Sequence, residues 1–439
     1  MAQRLLGVLG LVLALVLGGC TYSRQEPGLF RTRSPTSTPL PPAPPAPPTA
    51  SVNPELPVAG ETVWTSGEGV GLTARFAVHA VRRIPGATVL DYSVTPLTAP
   101  GLREGDPLPG RVDLGLTRYV GNTVAIWLLD PTHDRVYTSL AHESRRELNH
   151  CLCTPLWADQ STFRIGQTSL LQSTFPTLPR GLRRVDVLLA NQTPVAGVPV
   201  TPVGQVPTAR AGTETDLTRP AAAASPGPLR TLPVSGLGPQ SRVQIGLDAV
   251  LAGPGVTALR WRIRAPSGLD YRLYVLGPPV SAPLPEAVAV PALNSTDGPT
   301  LQLAGRRTTL AATWLTRQLN GRPGYECACS ELDLWARSLS QPGGTISVTT
   351  LFPGLPTGTR TVRVQVRGLA PVSLPVTDLP DAGRRLGAPV AAAGPRWVYA
   401  SDAPPPARTV DEWPTPLPDE WQLPDYRGST ERVGPLPHA

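Results

Sequence analysis

The chain has 439 residues, 55 of them proline, and a formal net charge of +7. Its length allows roughly two or three domains, and its proline share is well over twice the usual ~5%. All 39 basic residues are arginine, which excludes Schiff-base catalysis, a Walker-type phosphate lysine and Ser-Lys hydrolysis. No arginine-rich run with interleaved aromatics occurs, so nucleic acid is not an expected partner.

The first element is an N-terminal export signal. Arg4 gives a short positive region, Leu5 to Leu17 is apolar, and the run ends in Leu17-Gly18-Gly19-Cys20. It is too short for a membrane span, which needs about 20 apolar residues. The pattern resembles the lipobox of bacterial lipoproteins. That resemblance implies removal of residues 1–19 and a diacylglyceryl group (palmitate or similar) on Cys20. The chain would then be lipid-anchored on the extracytoplasmic face of a cell membrane. Thr21 follows the cysteine, so nothing marks the chain for retention at an inner membrane. Residues 20–57 read as a Pro-rich tether. Thr38-Pro39-Leu40-Pro41-Pro42-Ala43-Pro44-Pro45 favours polyproline II, which at full extension reaches on the order of 100 Å.

Two regions, 58–205 and 237–379, then read as copies of one β module, joined by a weakly structured linker at 206–236. Landmarks recur in one order. Cys151-Leu152-Cys153 matches Cys327-Ala328-Cys329, and Phe175-Pro176-Thr177-Leu178-Pro179 matches Phe352-Pro353-Gly354-Leu355-Pro356. Arg184-Val185-Asp186-Val187 matches Thr361-Val362-Arg363-Val364, and Val198-Pro199-Val200 matches Leu374-Pro375-Val376. These offsets are 176 or 177 residues; upstream, Gly86 to Leu90 matches Gly255 to Leu259 at 169. Thr73 to Val81 and Thr88 to Val94 are β-branched runs bounded by Pro or Gly, and Leu259 to Arg264 alternates apolar and charged. Short helical turns are expected at most near 140–148 and 330–339. The expected fold is all-β, two tandem β-sandwiches, with a small barrel as runner-up.

Chemistry is sparse. With Cys20 set aside, four cysteines remain in an oxidising setting, as the pairs Cys151/Cys153 and Cys327/Cys329. Bonds within each copy are expected, with cross-copy bonds as the alternative; either way they pin a loop, since no flanking base or cationic cluster recurs to activate a thiol. His142, His150, Cys151 and Cys153 have the makings of a zinc site. The second copy has Glu326 in place of His150 and no histidine, so no metal is expected. His142-Glu143 begins a zincin pattern that Arg146 breaks. No Gly-x-Ser-x-Gly occurs, Gly67-Glu68-Gly69-Val70-Gly71 reads as a turn, and His79 lies within a strand. No catalytic residue and no cofactor is expected.

Residues 380–439 form a Pro-rich tail with Asp411-Glu412-Trp413, Asp419-Glu420-Trp421 and Tyr426. From Ser401 to Ala439, seven acids against three arginines leave −4, and so +11 on the rest. Trp413, Trp421 and Tyr426 are candidate docking residues, onto the chain's own domains or onto a partner, the alternative being a solvated tail. The second half of each copy, Cys-x-Cys, then Phe-Pro-x-Leu-Pro, then a closing Val-rich strand pair, resembles the extracellular Ig-like modules of actinobacterial envelope proteins. That resemblance implies Ig-like domains and brings no catalytic residues. The expectation is a surface lipoprotein acting as a non-catalytic binding or structural module, its partner an envelope protein or cell-wall polymer. An envelope thiol-disulfide or other enzyme using the Cys-x-Cys pairs is the alternative, and a small-ligand sensor between the two domains a third reading.

Overall fold

Short β-branched runs separated by glycine and proline pair as strands, and the result in a computed structural model of the chain is nearly all-β. The structure describes residues 49–50, 57–65, 72–108, 126–142, 150–151, 163–189, 192–213, 215–218, 227–233, 242–268, 296–306, 308–319, 322–330, 339–391, 426–427 and 430–433. All of them belong to one compact unit, residues 42–439.

In the first module, Gly60–Thr65, Thr73–Ile84, Ala87–Thr98 and Thr168–Phe175 form an antiparallel layer in that order. Arg135–Thr138, Ile126–Asp130, Arg184–Leu189 and Val195–Thr201 form a second. Val195–Thr201 also pairs in parallel with Thr73–Ile84, so the sheet curls and its two halves face each other across a core. Alternation decides which side chains enter that core. Phe76, Leu90, Tyr92, Leu128, Phe175, Val185 and Val187 point in.

The second module repeats these pairings. Leu229–Pro233, Arg242–Ala252, Val256–Ala265 and Gly344–Pro353 form one layer. Thr309–Leu310, Thr300–Leu303, Thr361–Gln365 and Val372–Asp378 form the other, and Val372–Asp378 runs parallel to Arg242–Ala252. Register is kept as well as order. Thr88 faces Phe175 and Thr257 faces Phe352; Val81 faces Val200 and Val250 faces Val376. Each long hairpin carries a bulge at the same place, His79 in one and Asp248 in the other. A one-residue slip would turn a strand inside out, so register conserved at this level reflects one design used twice.

Two segments depart from expectation. Within the region read as a linker, Leu229–Pro233 is a strand of the second sheet. Gln205–Val206 pairs with Val390–Ala391, and Thr208, Arg210 and Thr213 are bonded to residues 385–388. The tail beyond residue 380 accordingly begins as a strap on the first module, with Leu379, Ala382 and Leu386 buried. Farther on, Thr430–Val433 inserts between Arg135–Thr138 of the first module and Trp314–Leu319 of the second, joining them in a 12-stranded sheet. Composition favoured disorder in both stretches, but open strand edges and a few apolar side chains overrode it. The helical turn expected near 140–148 gives way at its start to the strand Ala141–His142.

The modules share an apolar seam. Trp127, Leu129, Val136 and Leu188, on the outer face of the first module's second layer, pack with Val256, Ala258 and Leu351, on the outer face of the second module's first layer. The contact is heterologous: each copy offers a different face.

Candidate functional site

Cys20, Cys153, Trp413 and Trp421 lie outside the described residues. Tyr426 is described through its backbone, in the strand Tyr426–Arg427 opposite Ala141–His142. Cys151 faces Ala141 and His150 faces His142 in the adjoining two-residue strands. The second copy has the same register, Cys327 opposite Trp314 and Glu326 opposite Leu315.

Cys327 and Cys329 are joined by a disulfide, as expected for a within-copy bond. Both are buried, against Ala312 and Trp314. The tripeptide is bound on both sides: the Ala328 N–H donates to the Thr313 carbonyl at 2.8 Å, the Leu351 N–H donates to the Ala328 carbonyl at 2.9 Å, and Cys329 bridges to Thr350. This segment therefore occupies the free edge of Gly344–Pro353, and the bond stiffens it there. Reactive cysteines are accessible, and this pair is buried. Among the described residues no group of three or more His, Cys, Asp or Glu side chains is placed to hold a metal ion.

Buried ionisable groups are similarly committed. The ring nitrogens of His79 lie 2.7 Å from the Pro57 carbonyl and 2.8 Å from Ser93 Oγ, and burial lowers its pKa to about 4. Asp91 accepts from Arg82 and from Gln172 at 2.9 Å. Burial pushes its carboxyl above the usual range while those two partners pull it back.

A groove of about 1140 Å³ opens between the modules, at a domain boundary, where ligand sites concentrate. From the first module it is lined by Arg183, Arg184 and Asp186, from the second by Arg360, and from the strap by Asp381 and Arg384. Its walls are fixed. Asp186 is fully buried and accepts from the Gly197 N–H at 2.8 Å and, across the module boundary, from the Gly255 N–H at 3.3 Å. A Cβ on Gly255 would stand 2.6 Å from Pro131 Cβ, so only glycine allows the second module's hairpin to seat there. Arg184 Nη1 donates to both Asp381 oxygens, at 2.8 and 3.0 Å, and Asp381 also accepts from the Gly383 N–H at 2.9 Å.

Arg183 and Arg360 occupy one position in the two copies. Each follows Phe-Pro-x-Leu-Pro-x-Gly-x, and each carbonyl accepts at 2.9 Å from the closing strand, from Val200 and Val376 respectively. The Phe-Pro-x-Leu-Pro turns stand out in the sequence and the arginine four residues on does not; its one signal there is the repeated Gly-x-Arg. No helix among the described residues is long and apolar enough to cross a membrane. The chain matches no protein-family model and no curated protein sequence.

Proposed function

We propose that this chain is a lipid-anchored protein of a bacterial envelope, held by Cys20 and displaying two Ig-like modules that bind an envelope component without transforming it. One observation carries the choice of binding over catalysis: the Cys327–Cys329 bond is buried and built into a backbone ladder. The committed states of His79 and Asp91 favour the same reading. The Ig-like assignment rests on strand order. Omitting the first strand of each copy and the Cys hairpin, the first, second and fifth strands form one layer, and the third, fourth, sixth and seventh form the other. An Ig constant-type sandwich likewise keeps the first, second and fifth strands together and the third, sixth and seventh together; the fourth strand differs, lying here beside the third. Trp127 departs from that pattern, since it packs on the outer face rather than in the sandwich core.

Crosslinking in intact cells, followed by identification of captured species, tests the binding reading. A cell-wall polymer or envelope protein should be recovered from wild-type cells and lost when Cys20→Ser releases the chain. Thiol trapping tests the enzyme alternative. The expected result is a fully oxidised pair that resists mild reductant while folded; ready reduction and turnover with a dithiol would move the assignment to redox chemistry.

A further inference from the structure

We propose that the groove between the modules is the binding site, and that its ligand is an anionic glycan or polyol chain bearing repeated phosphate or carboxylate groups. The inference rests on the binding reading above and names its ligand class.

Charge accounting within the groove is the first support. The carboxylates of Asp186 and Asp381 are already spent, on backbone N–H groups and on Arg184. Arg183, Arg360 and Arg384 are exposed and have no ion-pair or side-chain hydrogen-bond partner among the described residues. The uncommitted charge is therefore mainly positive, with Asp378 the opposing carboxylate at the rim. Crowding of cations has a visible effect nearby. Burial, and then the Arg183 guanidinium, draw Arg83 below the usual arginine range, while Arg83 holds the Leu178, Pro179 and Leu182 carbonyls of the same loop.

Geometry is the second. Arg183 and Arg360 come from the same position of duplicated loops, one from each module, and both line a single groove; each loop is tied to its closing strand. The backbone is fixed there and the guanidinium groups are left available; such groups suit oxyanions, which they engage bidentately. The opening, about 1140 Å³, exceeds what one small anion needs and accommodates a run of chain. The lining mixes apolar and polar groups: Leu355 and Val376 stand partly buried beside the exposed Thr132 and Thr357. The threonine hydroxyls suit a sugar or polyol backbone and the arginines suit its charged groups, and polyglutamate in the titration below separates such a chain from an acidic peptide.

The test is calorimetric titration of the full chain, in non-ionic detergent, with poly(glycerol phosphate), polygalacturonate, neutral dextran, polyglutamate and inorganic phosphate. The expected result is binding of one or both anionic glycan or polyol probes, weakening with salt, and none to dextran. Binding of poly(glycerol phosphate) alone would identify phosphate as the recognised group; binding of both would identify charge. Arg183→Gln, Arg360→Gln and Arg384→Gln together should weaken binding at least tenfold without moving Tm, and lysine at the same positions should restore part of it. Unchanged affinity in the triple glutamine variant overturns the proposal. So does polyglutamate bound as tightly as either polymer, or inorganic phosphate bound as tightly as a chain. If the triple variant is still crosslinked to its envelope partner at wild-type level, the groove is refuted and the binding reading stands; no capture by any form defeats that reading itself.

Discussion

Equivalent positions in the two modules keep a job while changing the residue that does it. At the bulge, His79 reaches Ser93 in the first copy, whereas in the second Asp248 accepts from Arg262 Nε at 3.0 Å. In the core, Tyr92 stands beside Ser173, and at the matching place Trp261 Nε1 donates to Thr350 Oγ1 at 3.0 Å. Burial keeps the His79 imidazole neutral down to pH about 4, against a usual value near 6.5. As pH falls below 6.5, the unfolded chain takes up a proton that the folded chain refuses. Stability should therefore drop between about pH 6.5 and 4, by on the order of 3 kcal/mol at most. Asp91 works in the opposite sense, because burial raises its pKa and the folded carboxyl is protonated first on acidification. Urea unfolding at pH 7, 6, 5 and 4 checks this. In His79→Gln the slope between pH 6.5 and 4 should flatten, whatever that variant costs at pH 7; an unaltered slope would show that another group carries it. None of this was legible beforehand. The sequence placed His79 in a strand, but a bulge and its partner appear only when register is known.

At the level of elements, what was legible was whatever leaves a periodic trace. The Cys-x-Cys and Phe-Pro-x-Leu-Pro landmarks located the copies because each marks a strand edge or a turn between strands, and Leu259 to Arg264 announced its own buried face. Thr430–Val433 left no such trace. Four residues in a proline-rich acidic tail have too little pattern to identify a strand, and the pairing that holds them lies more than 100 residues away, at Trp314–Leu319. The tail was offered two fates, docking or solvation, and its end docks on the chain's own modules. Truncation after Ala400 removes a strand that closes two open edges at once, those of Arg135–Thr138 and Trp314–Leu319. The loss should be on the order of 2 kcal/mol, which lowers Tm by about 2–3 °C for a chain of this size. Scanning calorimetry of the truncated chain measures it, and an unshifted Tm would mean that the strand contributes nothing.

At the scale of the whole molecule, the two modules meet through different faces. A heterologous contact leaves one donor face and one acceptor face unused and, repeated between molecules, builds open filaments. The second module's unused face differs from its counterpart at each apolar seam position. Where the first copy has Trp127, Leu129, Val136 and Leu188 in the seam, the matching residues are Thr300, Gln302, Thr309 and Gln365, all at least partly exposed. The same chemical exchange should therefore have opposite consequences in the two copies. Leu129→Gln with Leu188→Gln places two amides in a dry seam and should cost about 4 kcal/mol or more, splitting a single thermal transition into two as the modules uncouple. Asp186→Ala should act in the same direction by about 2–4 kcal/mol, since it strands the Gly197 and Gly255 N–H groups. Gln302→Leu with Gln365→Leu should leave Tm within about 3 °C but introduce concentration-dependent association, read by analytical ultracentrifugation. If both double variants melt alike, the seam does not couple the modules, and its apolar character in one copy and polar character in the other has no energetic meaning.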